Sequence, residues 1–355
     1  MADGLNEALL KTVIRRFGLS AREVTPHSSF YRPNAAYRVT SGQGDWVLKP
    51  FRRTPGRSDA EHQIRAVVAC IRTLEKSKYP HMPLWRTTTS GRYWLSSGDT
   101  VFYMTEWVKG RILSRKPAEF EELGNALARL HGLGRSMSGH RYTRRHKHLL
   151  RAKERRFRTQ LSKLSKQNSP GGQWFAAHGS ECNALAHEAW SLLRRPEASL
   201  AMDQEREEPS LIHGDVTIPN IIVTAAGIKL IDWDTLRVGS RYMELVKALS
   251  NVTGFNPELM AALLRGYEEI RPLNLGERLT IAGLFRLPRE AWYSAEALAN
   301  GRKHSAFEPL RQTWPDRLEA VRWLDEWAAG PTEQVQDGHE SAALRKETPN
   351  EPMKG

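Results

Sequence analysis

The sequence has 355 residues, 40% of them apolar, and a net charge of +13. That length allows a large core in two domains or lobes, and no run of about 18 apolar residues is present to span a membrane. Its two cysteines, Cys70 and Cys182, are too far apart for a metal-type pair or a disulfide framework, which suits a reducing cytoplasm.

In chain order, residues 1–18 predict an amphipathic helix without the apolar core or small-residue cleavage site of a signal peptide. Residues 36–40 (AYRVT) and 45–51 (DWVLKPF) predict a strand pair around an SGQG turn. Ser58 opens a helical pattern to about residue 77, with Ile64, Val67, Val68, Ile71 and Leu74 on one face. Three strand-like runs follow at 84–89, 92–96 and 100–108. Residues 1–109 therefore predict an antiparallel five-stranded sheet with helices packed on it.

Beyond Gly110 the pattern turns helical. Phe120, Leu123, Leu127 and Leu130 recur at helical spacing, and residues 140–195 and 241–328 are also helix-like. Residues 110–329 form the expected second lobe. From about Gly330 to residue 355 the chain is polar and aperiodic, which predicts a disordered tail. The excess charge is local: residues 135–166 hold twelve Lys or Arg and one acid, Glu154. A solvated helix face, an acidic partner and the wall of an acceptor site each fit that segment. Nucleic acid fits it poorly, because Tyr142 and Phe157 are too few aromatics for a stacking platform.

Residues 211–234, LIHGDVTIPNIIVTAAGIKLIDWD, carry the chemistry. Asn220 lies five residues beyond Asp215, and Asp232 seventeen, across a glycine turn. Phosphoryl transfer needs one carboxylate to orient or deprotonate a hydroxyl, and oxygen ligands to hold a metal over the phosphates. One Asn and one Asp suffice for Mg2+, which keeps several waters. A hairpin at 225–227 would bring these groups together. His213 fits a buried hydrogen-bonded scaffold better than an acid or base. Asp234 fits a turn role and a supporting role equally.

HGD-x4-N followed by IDWD resembles the aminoglycoside phosphotransferase and choline kinase superfamily, relatives of the protein kinases. The resemblance implies a two-lobed kinase-like α+β fold, ATP and Mg2+ as cofactors, Asp215 as catalytic base, and Asn220 and Asp232 as metal ligands. It implies that Lys49, on a small-lobe strand, contacts the α/β-phosphates. Glu61 would pair with Lys49, although Ser58-x-x-Glu61 also reads as a capping box. In MTEWVKGR, exposed backbone from Glu106 to Val108 would hydrogen-bond adenine. The run from RTTTSG to TEWVKGR resembles the spore-coat protein S group, which implies other coat proteins as partners. The basic segment would repel a polycationic aminoglycoside and suits a neutral or anionic hydroxyl acceptor, a small molecule or saccharide. Glu244 stands where relatives carry Asp. The loop at 27–36 (HSSFYRPNAA) lacks the glycines that usually let amides approach phosphates, so Ser28, Ser29 and Asn34 would substitute. That departure also suits a kinase-fold scaffold of little activity.

Overall fold

The computed structural model describes residues 6–29, 32–51, 59–133, 145–301 and 307–330. The first lobe is built on one mixed-length antiparallel sheet. Its elements are helix α1 (Glu7–Arg16), strands β1 (Ala21–Ser29), β2 (Arg32–Ser41) and β3 (Gly44–Pro50), helix α2 (Ala60–Lys76), and strands β4 (Trp85–Arg86), β5 (Trp94–Ser97) and β6 (Thr100–Glu106). The order is β1-β2-β3-β6-β4, and β5 also pairs with β6.

The sheet is six-stranded, not five-stranded. β1 escaped the periodic reading because it is a polar edge strand carrying Pro26, a residue tolerated only where no ladder amide is needed. β4 and β5 share one edge of β6: Trp85 pairs with Thr105, and Trp94 with Tyr103. Thr88 and Thr89, expected in a strand, instead turn the chain, with Thr88 N donating to Arg92 O at 2.7 Å.

Alternation along β3 and β6 decides what faces the cleft. Trp46, Leu48, Phe102 and Met104 pack with Leu10, Val13 and Ile14 of α1. Val101 and Tyr103 lie on the other side, in the core shared with α2 and the second lobe. Lys49, adjacent to Leu48, therefore points away from α1. Asp59 caps α2 by accepting from His62 N at 2.6 Å, so the expected capping box from Ser58 to Glu61 is replaced by an aspartate one residue later.

The second lobe contains β7 (Arg111–Ile112), α3 (Pro117–Gly132), α4 (Arg145–Leu164), α5 (Pro170–Leu192), α6 (Pro196–Glu207), β8 (Ser210–Ile212), β9 (Ile221–Thr224), β10 (Gly227–Leu230), β11 (Arg237–Gly239), α7 (Arg241–Asn251), α8 (Pro257–Ile270), α9 (Leu275–Arg286), α10 (Arg289–Ala299) and α11 (Phe307–Ala329). The chain has the kinase-like α+β architecture expected from its sequence. Helices α3 and α8 cross at Gly124 and Gly266, where an added Cβ would collide with the facing backbone. The basic helix α4 is anchored by its single acid. Glu154 is buried, accepting from Trp190 Nε1 at 2.6 Å and Arg158 Nη2 at 2.6 Å, while Arg151 stacks 3.7 Å from the Trp190 ring centre. The tail expected to be disordered lies, apart from Gly330, outside the described residues.

Candidate active site

β8 delivers His213, Gly214 and Asp215 to the end of a short antiparallel pair with β11. Gly214 is left-handed at φ +88°, and a Cβ there would run into the Arg237 guanidinium and sit 2.8 Å from Thr235 O. No residue with a side chain fits this turn without strain. His213 is fully buried. Asp215 N donates to its Nδ1 at 3.3 Å, so Nε2 carries the proton and donates to Ile231 O at 3.0 Å. Burial lowers the His213 pKa, consistent with a neutral ring that braces the loop. The Asp215 side chain is left exposed.

Glu244 of α7 supports the loop from below. Its carboxylate accepts His213 N at 3.1 Å and Gly214 N at 2.5 Å. It also accepts His131 Nε2 at 2.9 Å, and Tyr267 hydroxyl lies 3.0 Å from His131 Nδ1. Burial lowers the His131 pKa. Burial works to raise that of Glu244, but the His131 hydrogen bond, neighbouring charges and the Gly214 amide hold it below the usual value. A carboxylate bonded to a neutral imidazole follows. In the sequence, Glu244 stood out only as a substitution and His131 not at all. Their partnership spans 113 positions and leaves no local signal.

The metal-side groups come from the β9–β10 hairpin, turned at Gly227 (φ +106°) and closed by Thr224 Oγ1 donating to Gly227 O at 2.7 Å. Ile231 N donates to Asn220 O at 2.9 Å, tying the two ends together. Asn220 Nδ2 donates to Asp215 Oδ2 at 3.1 Å and to Asp215 O at 3.0 Å. Asp232 sits in the left-handed region at φ +67°, costly for a non-glycine residue and often found where a functional group is being aimed. Its carboxylate pairs with Lys49 Nζ. Asp215, Asn220, Asp232 and Lys49 are thus linked across one site. Among the described residues no group of three His, Cys, Asp or Glu side chains forms a metal cluster. The oxygen donors Asn220 and Asp232 fit a hard divalent cation that completes its shell with phosphate and water.

Lys49 also lies 3.2 Å from Asp234, which is buried and accepts from the Tyr103 hydroxyl. Burial opposes the Lys49 charge, but Asp234 and Asp232 hold its pKa above the ordinary value. Burial raises the Asp234 carboxyl, against the pull of Lys49. Glu61 does not reach Lys49. It accepts from Ser96 Oγ at 2.6 Å and Arg65 Nη2 at 3.2 Å. Asp234 occupies the supporting position that the sequence suggested for Glu61.

A cleft of about 620 Å³ lies above these groups, with Val47 and Ala36 on the sheet side, Ile222 and Ile231 opposite, and Tyr103 among its lining residues. Glu106, Trp107 and Val108 border it. The amides of Glu106 and Trp107 are used by Leu84 O and Asp45 O at 2.9 and 3.0 Å. That of Val108 has no partner among the described residues. Arg38, held by Asp45 at 2.6 Å, stacks over the Trp107 ring at 4.7 Å, with His27 edge-on to the same ring. Neither Arg38 nor the ring of Trp107 was legible in the sequence, which pointed only to the backbone of 106–108. The segment expected as a phosphate loop is the β1–β2 hairpin, whose tip at 30–31 lies outside the described residues. Asn34 adopts φ +51° there, and its amide donates to Ser28 Oγ at 3.3 Å. The side chain of Ser29 lies outside the described set.

The sequence profile described as "Phosphotransferase enzyme family" matches residues 24–284. The chain belongs to this family. Among solved structures, this phosphotransferase is similar to an aminoglycoside phosphotransferase from Alicyclobacillus acidocaldarius, with TM-score 0.79, 18% identity, and 93% of this chain and 98% of that one covered. It is similar to a microcompartment-associated aminopropanol kinase (TM-score 0.60, 18% identity, 91% and 98% covered). It is also similar to an amicoumacin kinase solved with AMP-PNP and Ca2+ (TM-score 0.56, 15% identity, 90% and 93% covered). At these identities the likeness shows the fold. No curated protein matches. No described helix is long and apolar enough to cross a membrane.

Proposed function

We propose that this phosphotransferase moves the γ-phosphate of ATP to a hydroxyl of a small molecule or saccharide. The observation that carries the reading is the meeting of Asp215, Asn220, Asp232 and Lys49 at one end of a cleft large enough for a nucleotide. The base stacks between Val47 and Ile222, its edge against the Val108 amide. Lys49, held by Asp234, meets the phosphates. Asn220 and Asp232 would hold Mg2+, which would offset the negative charge of the phosphates during transfer. The exposed Asp215 orients the acceptor hydroxyl in line and takes its proton as the new O–P bond forms, while ADP leaves with the electron pair of the broken bond.

Residues 105–110 serve as the hinge between lobes 1–109 and 110–329. Cys70 and Cys182 are both buried and not joined in a disulfide, which suits a reducing cytoplasm. A spore-coat association rests on the hinge-region likeness alone, and absence of the chain from isolated coat material would remove it.

Magnesium-dependent titration with AMP-PNP is the first test, and turnover in Asp215→Ala the second. Nucleotide should bind, and the variant should lose about 10²- to 10⁴-fold in rate, the range for general-base catalysis. Absence of nucleotide binding would leave the fold serving as a scaffold, the reading favoured by the glycine-free hairpin.

A further inference from the structure

A second cavity, of about 270 Å³, opens in the helical lobe between α4, α5, α6, α9 and the start of α7. It shares no described lining residue with the cleft that holds Lys49 and Asp232. The β8–β11 pair also separates it from the Asp215 loop. Ser240, in the cavity wall, follows Gly239, which faces Ser210, whereas Asp215 lies beyond Ile212 at the opposite end of the pair.

The wall is largely apolar, formed by Leu150, Trp190, Leu193, Met202, Met243 and Leu284. All of these except the half-buried Met202 are buried, yet the space between them stays unfilled. Protein interiors are normally packed as closely as organic crystals, and apolar cavities take up small apolar molecules. The two methionines are unbranched and adapt their shape to an occupant.

The polar groups in the wall divide into committed acids and unused donors. Glu205 is 4% exposed, and both its oxygens are taken, one by the Ser240 hydroxyl at 2.8 Å and the other by Tyr242 N at 3.3 Å. Asp203 pairs with Arg206 one turn along α6. The Tyr242 hydroxyl donates to Glu277 at 3.0 Å, and Trp190 Nε1 is held by Glu154. Among the described residues, Lys147 and His148 of α4 and the Ser199 hydroxyl of α6 line the cavity without a side-chain hydrogen bond or ion pair. The surplus is thus of donors, one of them a cation, at the edge of an apolar chamber. At roughly 30 Å³ per non-hydrogen atom, the share of a water molecule in the liquid, the chamber admits about nine such atoms.

We infer that this cavity is a binding site for a small carboxylic acid, its hydrocarbon part against Trp190, Met202, Met243 and Leu284 and its carboxylate at Lys147. The site is independent of the kinase reading above. The full chain is titrated calorimetrically with heptanoate, and with heptylamine and 1-heptanol as head-group controls, each with and without AMP-PNP. Heptanoate should bind wild type at one per chain, more tightly than either control, and equally well in the presence of AMP-PNP. Lys147→Met should weaken heptanoate by about threefold, the range of an exposed ion pair, and leave 1-heptanol unchanged. Met202→Trp, which fills the chamber from a half-buried position, should weaken acid and alcohol alike by about tenfold or more. Should that variant fail to fold, Lys147→Met, at an exposed position, decides alone. No heptanoate binding by wild type, binding of the amine or alcohol as tight as that of the acid, competition with AMP-PNP, or unchanged acid binding in Lys147→Met overturns the inference.

Discussion

Glu244 shows how one carboxylate can brace the loop that carries Asp215, the proposed base. It receives two consecutive main-chain amides and a histidine, so removing its charge frees the turn that aims Asp215. Glu244→Gln should lower kcat by about tenfold or more with the KM for ATP little changed, because positioning is lost and nucleotide binding is not. Equal rises in KM and falls in kcat would contradict this role. The supporting carboxylate of Lys49 gives a second, paired prediction. Asp234→Asn should weaken nucleotide binding by about tenfold, the worth of one charge-assisted contact, while Glu61→Ala, which loses only Ser96 and Arg65, should not. Equilibrium titration with AMP-PNP decides between them. Three of the residues readable from sequence are joined locally, whereas Lys49 was read from its place on a small-lobe strand, its partner Asp232 lying 183 residues away. Asp215 and Asn220 share one loop, and Asp232 follows across one hairpin. His131 owes its place to Glu244, 113 positions along the chain, and had no such signature.

Among the elements, the cap of α2 is the simplest to probe. Asp59→Ala removes the acceptor for His62 N and should cost about 1 kcal/mol in urea unfolding, the usual worth of an N-cap. The α4 anchor is worth more. Glu154→Ala would strand buried Trp190 Nε1 and free two arginines, costing about 2–4 kcal/mol. A loss under about 0.5 kcal/mol, the size typical of an ordinary surface substitution, would mean that α4 does not dock through this acid. Periodicity found the helices because each buries a stripe along its whole length. It missed β1, whose exposed polar residues and Pro26 follow no alternation and which is specified by pairing with β2. It also overextended the run at 84–89, because the threonines that favour strands supply turn hydrogen bonds here.

For the molecule as a whole, acid stability follows from the buried imidazoles. His131 and His213 have folded pKa values below the ordinary 6.5, so under acid the unfolded chain binds protons that the folded one refuses. Stability is complete above about pH 6.5 and falls as pH drops toward the folded values, by at most about 1.4 kcal/mol per pH unit for each histidine. The raised carboxyls of Asp234 and Glu205 offset part of this loss. Urea midpoints at pH 7.5 and 5.5 should differ in that direction, and the difference should shrink in His131→Asn. A flat profile would contradict neutral buried rings. The sequence by itself determined the family, the lobe plan and the spacing of the transfer groups, because loop length and strand period act over a few residues. Tertiary structure alone decided that Asp234 supports Lys49 and that Glu244 holds the loop. Those outcomes depend on which distant elements pack together, and burial changes the energy of a charge only once that packing exists.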